Sequence, residues 1–239
     1  MQTHTKAPIP EQEANALPMA GPGGGDAPDF DGRSAEELLE YMVERFHPRM
    51  YVACSFQKEA SVIMDMLVKI EPTARFFTLD THVLFPETYE VWKQLEDRYG
   101  IEVEVYQGIS IERQAAVHGG ELWNRDPDAC CGIRKVGPMN EALSKVDAWM
   151  SGLRRDQSPT RANTPKLAWD KKHGLWKANP LAEWSEKDVW TYLFENDVPY
   201  NPLHDRGYES IGCTHCTKPG AAREGRWTGN DKTECGIHG

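Results

Sequence analysis

Residues 50–80, MYVACSFQKEASVIMDMLVKIEPTARFFTLD, carry the fold. Met50-Tyr51-Val52-Ala53-Cys54 reads as a short apolar strand, and Ser55 to Glu59 is a polar turn. From Ala60 onward, Val62, Ile63, Met66, Leu67 and Ile70 recur at helical spacing. Arg75-Phe76-Phe77-Thr78-Leu79 is a second strand ending at Asp80. Downstream, Pro86 to Tyr99 predicts a helix stopped by Gly100, and Ile101 to Tyr106 alternates as a third strand. Upstream, Ser34 and Glu37 form a capping box for a helix with a stripe of Leu38, Leu39, Met42, Val43 and Phe46. Ala148 to Gly152 predicts a fourth strand and Leu175 to Pro180 a further one. Ser185 caps a helix over Glu186–Glu195 that turns Val189, Trp190 and Leu193 inward. Strands alternating with helices specify an α/β fold, a parallel β-sheet flanked by helices.

The length of 239 residues suits one core plus tails. Residues 1–33 are rich in Pro, Gly and Ala and read as a disordered leader, with the α/β domain over 34–216. From Gly207 the chain is turn-rich with little apolar periodicity, so metal ligation is expected to hold this segment in place of a core. Residues 217–239, with glycines at 220, 225, 229, 236 and 239, are expected to form a mobile tail. A net charge of −10 argues against a general nucleic-acid partner. No apolar run approaches the ~20 residues that span a bilayer. Met1 to Ala20 has no apolar signal core, so a cytoplasmic protein is expected.

Five of the six cysteines form a pattern: Cys130-Cys131, Cys213-Thr214-His215-Cys216, and Cys235 near the end. In an intracellular chain such pairs point to metal or redox chemistry before disulfides. Two close pairs can surround an iron–sulfur cluster, usually held by four cysteines. A four-cysteine zinc site is the rival, although the pair without a spacer suits zinc less well. The spare Cys235, flanked by Gly236 and near His238, suits a nucleophile carried on a lid. Surrounding cations would supply its thiolate, and His238 is placed to position the tail or an anion. Cys54 ends an apolar run and reads as a small buried hydrophobe.

Ligands of open parallel sheets bind beyond the carboxyl ends of strands. Ser55-Phe56-Gln57-Lys58-Glu59 is either an anion cradle or an ordinary helix cap, and these five residues alone favour the cap. Leu79-Asp80-Thr81-His82 is suited to a ribose or base. Arg154, Arg155 and Arg161 after the fourth strand suggest a phosphate or sulfate clamp. Arg134 and Lys135 beside the cysteine pair, with Arg223 and Arg226 before Cys235, would offset thiolate charge and meet an anionic substrate.

Together these stretches resemble the adenosine 5'-phosphosulfate (APS) reductase branch of the PAPS reductase family. The resemblance covers residues ~50–239, about the extent of one domain. It rests on Cys130-Cys131-Gly132-Ile133-Arg134-Lys135, Ser151 to Ser158 (SGLRRDQS), Asn179-Pro180-Leu181, Gly212-Cys213-Thr214-His215-Cys216 and Glu234-Cys235-Gly236-Ile237-His238. Leu79 to Tyr89 (LDTHVLFPETY) is similar to the family segment after its second strand. The fold implied is that of the adenine-nucleotide alpha hydrolases. Ser55 to Glu59 then stands where relatives carry a Ser-Gly-Gly-x-Asp pyrophosphate loop, whose glycines and aspartate are absent here. The resemblance implies that Cys235 attacks the sulfate sulfur of APS, displaces AMP and is then reduced by thioredoxin or a similar dithiol protein. It implies one [4Fe–4S] cluster per chain on Cys130, Cys131, Cys213 and Cys216, without obligatory redox change. Substrate contacts are expected from Ser55 to Glu59, Leu79, Asp80, Thr81, Lys135, Gly152, Arg154, Arg161, Arg223, Arg226 and His238. PAPS as substrate, a homo-oligomer, and a zinc-stapled nucleotide-binding module without catalysis stay open.

Overall fold

The computed structural model describes residues 28–238. Most of the expected leader, residues 1–27, lies outside them. Its last stretch does not: Phe30 is buried against Tyr41 at 5.1 Å between ring centroids, so packing begins ahead of Ser34.

The elements run α1 (Ala35–Phe46), β1 (Met50–Ala53), α2 (Lys58–Ile70), β2 (Phe76–Asp80), α3 (Pro86–Tyr99) and β3 (Val103–Gln107). Short helices α4 (Ile111–His118), α5 (Leu122–Arg125) and α6 (Pro127–Cys131) follow, then α7 (Gly137–Leu143). The chain ends its regular structure with β4 (Ala148–Met150), β5 (Leu167–Asp170), β6 (Leu175–Ala178) and α8 (Glu186–Glu195). The Ser34–Glu37 capping box is present, the Ser34 hydroxyl accepting from the Glu37 N–H at 3.0 Å. Gly100 ends α3 in the left-handed conformation.

The sheet order is β3-β2-β1-β4-β6-β5. Five strands are parallel, and β5 is antiparallel to β6. β5 was missed because Leu167-Ala168-Trp169-Asp170 is short and joined to β6 by a tight turn. Alternation along the strands sends residues to two cores. Met50, Val52, Phe76 and Met150 meet α1, α2, α3 and α8 on one face, through Leu39, Ile63, Leu95 and Leu193. Tyr51, Phe77 and Trp149 meet Met139, Ala142 and Leu143 of α7 on the other. The chain leaves β1 toward β2 on one side and β4 flanks β1 on the other. The carboxyl ends of β1 and β4 therefore form the switch point at which open sheets bind ligands.

Candidate active site

A cavity opens at that switch point. Its floor is Ser55, Gln57 and Glu59 after β1, Leu79 in β2, and Ser151 and Gly152 after β4. Its walls are cationic and come from distant segments: Lys135, Arg161, Arg223 and Arg226, with Cys235 and His238 of the tail. Gly152 is there for space, since a Cβ would lie 2.7 Å from the Glu59 Cβ.

Other expected contacts lie elsewhere. Phe56 is fully buried and stacks on Trp92 at 5.1 Å, its φ of 54° forced by the turn. Lys58 is buried and pairs with Glu186 at 3.2 Å. Asp80 accepts from Tyr89 Oη at 2.7 Å and Gln107 Nε2 at 2.9 Å. Arg154 makes a buried ion pair with Glu59 at 3.0 Å and also binds Asp156. Arg155 pairs with Asp31 and Glu183. Of the three arginines after β4, Arg161 alone lines the cavity. The polar turn is not an ordinary cap: the Gln57 side chain leaves α2 uncapped, and its Oε1 accepts from the Ile211 N–H at 2.8 Å.

A second cavity adjoins the first and is lined by Cys130, Cys131, Cys213 and Cys216. All four are free thiols, and Lys135 and Arg226 line both cavities. The cysteine pair ends α6, and the chain continues through a π-helical turn, Gly132–Val136, into α7. That wide turn carries Arg134 inward and Lys135 to the shared wall; π-turns often mark functional sites. Arg134 is 2 % exposed; its Nη1 donates to the Thr81 carbonyl at 2.7 Å, while Nε and Nη2 have no protein partner. Thr81 serves this second cavity, its hydroxyl 3.2 Å from Cys213 Sγ. Trp123 and His215 stack at 4.0 Å across its outer side. Arg226 is held by Ser210 Oγ at 3.2 Å and lies 4.5 Å over the Trp227 ring. A Cβ on Gly212 would come within 2.3 Å of the Arg226 guanidinium, so glycine just before Cys213 leaves Arg226 its place.

Burial, and then the charges of Cys213, Cys131 and Cys130, push the Cys216 thiol up to about 12. Burial likewise raises Cys130 and Cys131. Four largely buried sulfurs that repel one another once ionised suit ligation to an iron–sulfur core, and the unpartnered Arg134 guanidinium beside them suits the negative charge of a four-thiolate cluster. Among the described residues no trio of His, Cys, Asp or Glu is close enough to hold a single metal ion.

Cys235 behaves differently. Burial pushes its thiol up, but Lys135, the Ile237 N–H and Arg226 outweigh this and lower its pKa. Burial also disfavours the Lys135 charge, yet the Cys213 and Cys235 sulfurs raise its pKa and keep it cationic. His238 is held neutral by burial and then by Lys177, Arg161 and Arg223. It stacks on Trp149 at 5.7 Å and meets Lys177 Nζ at 3.3 Å. Sequence reasoning missed Trp149, Lys177 and Glu234 as tail contacts. The one available signal was a lysine inside the otherwise apolar strand Leu175–Ala178.

The segment expected as one mobile tail has two parts. Thr217 bridges Arg226, Tyr208 bridges Gly220, and Trp227 donates its N–H to the Cys216 carbonyl at 2.9 Å, which ties residues 217–230 to the body. Among the described residues, no backbone–backbone hydrogen bond ties 231–238 to anything else.

Comparison with known proteins supplies the family. Residues 49–219 match the phosphoadenosine phosphosulfate reductase domain. The chain belongs to that family. An adenosine 5'-phosphosulfate reductase of Salinibacter ruber is 46% identical over 87% of this chain and 85% of its own. One of Lysinibacillus sphaericus is 47% identical over 86% and 91%. A phosphoadenosine 5'-phosphosulfate reductase of Gloeobacter violaceus is 43% identical over 89% and 91%. Among solved structures, the phosphoadenylyl-sulfate reductase of Candida auris superposes with a TM-score of 0.70 at 33% identity, covering 77% of this chain and 90% of that one. Candida glabrata FMN adenylyltransferase, at 12% identity and TM-score 0.57 over 84% and 70% of the two chains, shares the fold. No helix among the described residues is long and apolar enough to cross a membrane.

Proposed function

We propose that this chain reduces APS to sulfite and AMP, with Cys235 as nucleophile and a dithiol protein such as thioredoxin as reductant. The observation that carries this reading is Cys235 held at the sheet switch point, among Lys135, Arg161, Arg223 and Arg226, with its thiol pKa lowered. The relatives named as APS reductases over most of their length support the substrate.

The thiolate of Cys235 attacks the sulfate sulfur, the bond from that sulfur to the bridging oxygen breaks, and AMP leaves. The product is S-sulfocysteine. A thiolate of the dithiol then attacks Cys235 Sγ, releases sulfite and forms a mixed disulfide. The second thiol resolves it, so two electrons pass from the dithiol and Cys235 returns as thiolate. Sulfuryl transfer needs alignment and charge neutralisation. The floor, Ser55, Gln57 and Glu59 with Leu79 and Gly152, takes the nucleoside. Lys135, Arg223 and Arg226 take the phosphosulfate, and His238 docks the tail.

Cys130, Cys131, Cys213 and Cys216 would hold one [4Fe–4S] cluster. Bound there, it would supply a covalent staple for the segment after Gly207, and Lys135 and Arg134 would offset the negative charge of its thiolates. PAPS is the second reading, supported by the Gloeobacter relative. The test is sulfite release with thioredoxin from APS against PAPS, with iron and sulfide content measured on the same sample. S-sulfonation of Cys235 by APS is expected; sulfite release with no adduct on Cys235 would overturn the assignment.

A further inference from the structure

The nucleophile is carried by residues 231–238, which side chains alone hold down. The contacts are unequal. The Lys232 side chain is 5% exposed, but the Asp128 carboxylate that it meets is 81% exposed and solvated, which weakens the pair. Lys172 reaches the Gly236 carbonyl, and His238 lies on Trp149. Glu234, next to Cys235, is gripped by two cations. Arg161 donates to it in bidentate fashion, through Nε at 2.9 Å and Nη2 at 2.8 Å, and Arg223 Nη2 donates at 3.1 Å. These groups are largely buried, with 11%, 16% and 23% of the Arg161, Arg223 and Glu234 side chains exposed. Arg223 also donates to the Thr233 carbonyl at 2.9 Å. The two guanidiniums disfavour each other: burial and then the Arg161 charge lower Arg223 to about 10. A carboxylate between them relieves that repulsion, and the tail delivers one when it docks.

We infer that Glu234 is a positioning residue, the latch by which Arg161 and Arg223 hold Cys235 in the closed position. This rests on the proposed reaction, in which Cys235 must be closed for sulfur transfer and exposed for a protein reductant. The latch therefore acts oppositely on the two half-reactions. It favours transfer, which occurs in the closed form, and slows reduction, whose rate follows the open population. Thiol activation is not its role, because the negative charge of Glu234 opposes the Cys235 thiolate.

Glu234→Gln separates these effects. Alkylation of Cys235 by iodoacetamide, followed on the C-terminal peptide by mass spectrometry at a pH where the thiol is ionised, needs no substrate. It should run roughly tenfold faster in Glu234→Gln, with Glu234→Asp between the variant and the wild type. Sulfite release by excess thioredoxin from enzyme already S-sulfonated should accelerate by a similar factor. Single-turnover adduct formation from APS should not rise. Unchanged alkylation and unchanged reduction in Glu234→Gln would overturn the latch, and so would a rise in adduct formation. If APS leaves wild-type Cys235 unmodified, the reaction assignment fails while the alkylation comparison still decides the latch.

Discussion

Two residues outside the tail bear on the charge around Cys235, one directly and one through Arg226. Lys135 belongs to both cavities and faces the Cys213 and Cys235 sulfurs. In the proposed reaction its loss would remove one charge-assisted contact to the phosphosulfate, worth roughly 1.5–3 kcal/mol. Lys135→Ala should lower kcat/KM by about one to two decades while melting within a few degrees of the wild type. Normal kinetics would place the side chain away from the substrate. Gly212 acts by having no side chain. In Gly212→Ala the new methyl meets the Arg226 guanidinium at 2.3 Å, so Arg226 must leave the wall between the cavities. Activity should fall about as far as in Arg226→Ala, and adding Gly212→Ala to Arg226→Ala should cost little more activity. Additive losses would mean that the two act separately.

At the level of elements, the helix that carries the cysteine pair and the segment after Gly207 are both short and line one cavity. α6 has only Pro127 to Cys131 and runs into a π-turn, and the partner cysteines flank a three-residue helical turn, Thr214–Cys216, with Cys213 as its N-cap. Neither has a core of its own. If the four thiolates hold a cluster, Cys131→Ser or Cys213→Ser should lose iron and lower Tm together. An iron-free variant with unchanged Tm would leave the segment held by packing alone. The tail should behave in the opposite way. Residues 231–238 add no backbone–backbone hydrogen bonds to the body, so deleting 230–239 should leave iron content and AMP affinity near those of the full chain, with turnover abolished. A large fall in Tm on that deletion would show the tail to be structural.

For the molecule as a whole, acid sensitivity follows from its buried histidines. His204 stays neutral in the fold: its Nδ1 meets the Tyr208 carbonyl at 2.7 Å and its Nε2 accepts from the Lys58 N–H at 3.3 Å. Burial and then the Lys58 charge lower its pKa from 6.5 to about 4. The unfolded chain takes up a proton near 6.5 that the folded chain refuses until about 4. Stability from this group is therefore complete above pH 6.5 and is lost as pH falls toward 4. The slope is at most about 1.4 kcal/mol per pH unit. Tm should drop between pH 7.5 and 5.5, and His204→Gln should flatten that part of the profile. An equal drop in the variant would assign it to other groups.

Local chemistry was legible in the chain. The capping box at Ser34, the left-handed stop at Gly100 and the alternating strands depend on neighbours within a few residues, and the structure has each where its residues place it. That the two cysteine pairs belong together was also legible, because residue type and spacing single them out, and the fold brings all four to one cavity. What required the folded chain is who faces whom. Arg154 and Arg161 lie seven residues apart in similar sequence, yet Glu59 neutralises the first and the second lines the cavity. Asp80 and Thr81 are adjacent, but the one, last in β2, meets Tyr89 and the other, just past the strand, meets Cys213. Glu234 meets Arg161 only because a tail from the end of the chain crosses the carboxyl edge of the sheet. Buried charge is decided by partners brought from far along the chain, and periodicity is blind to separations of that length.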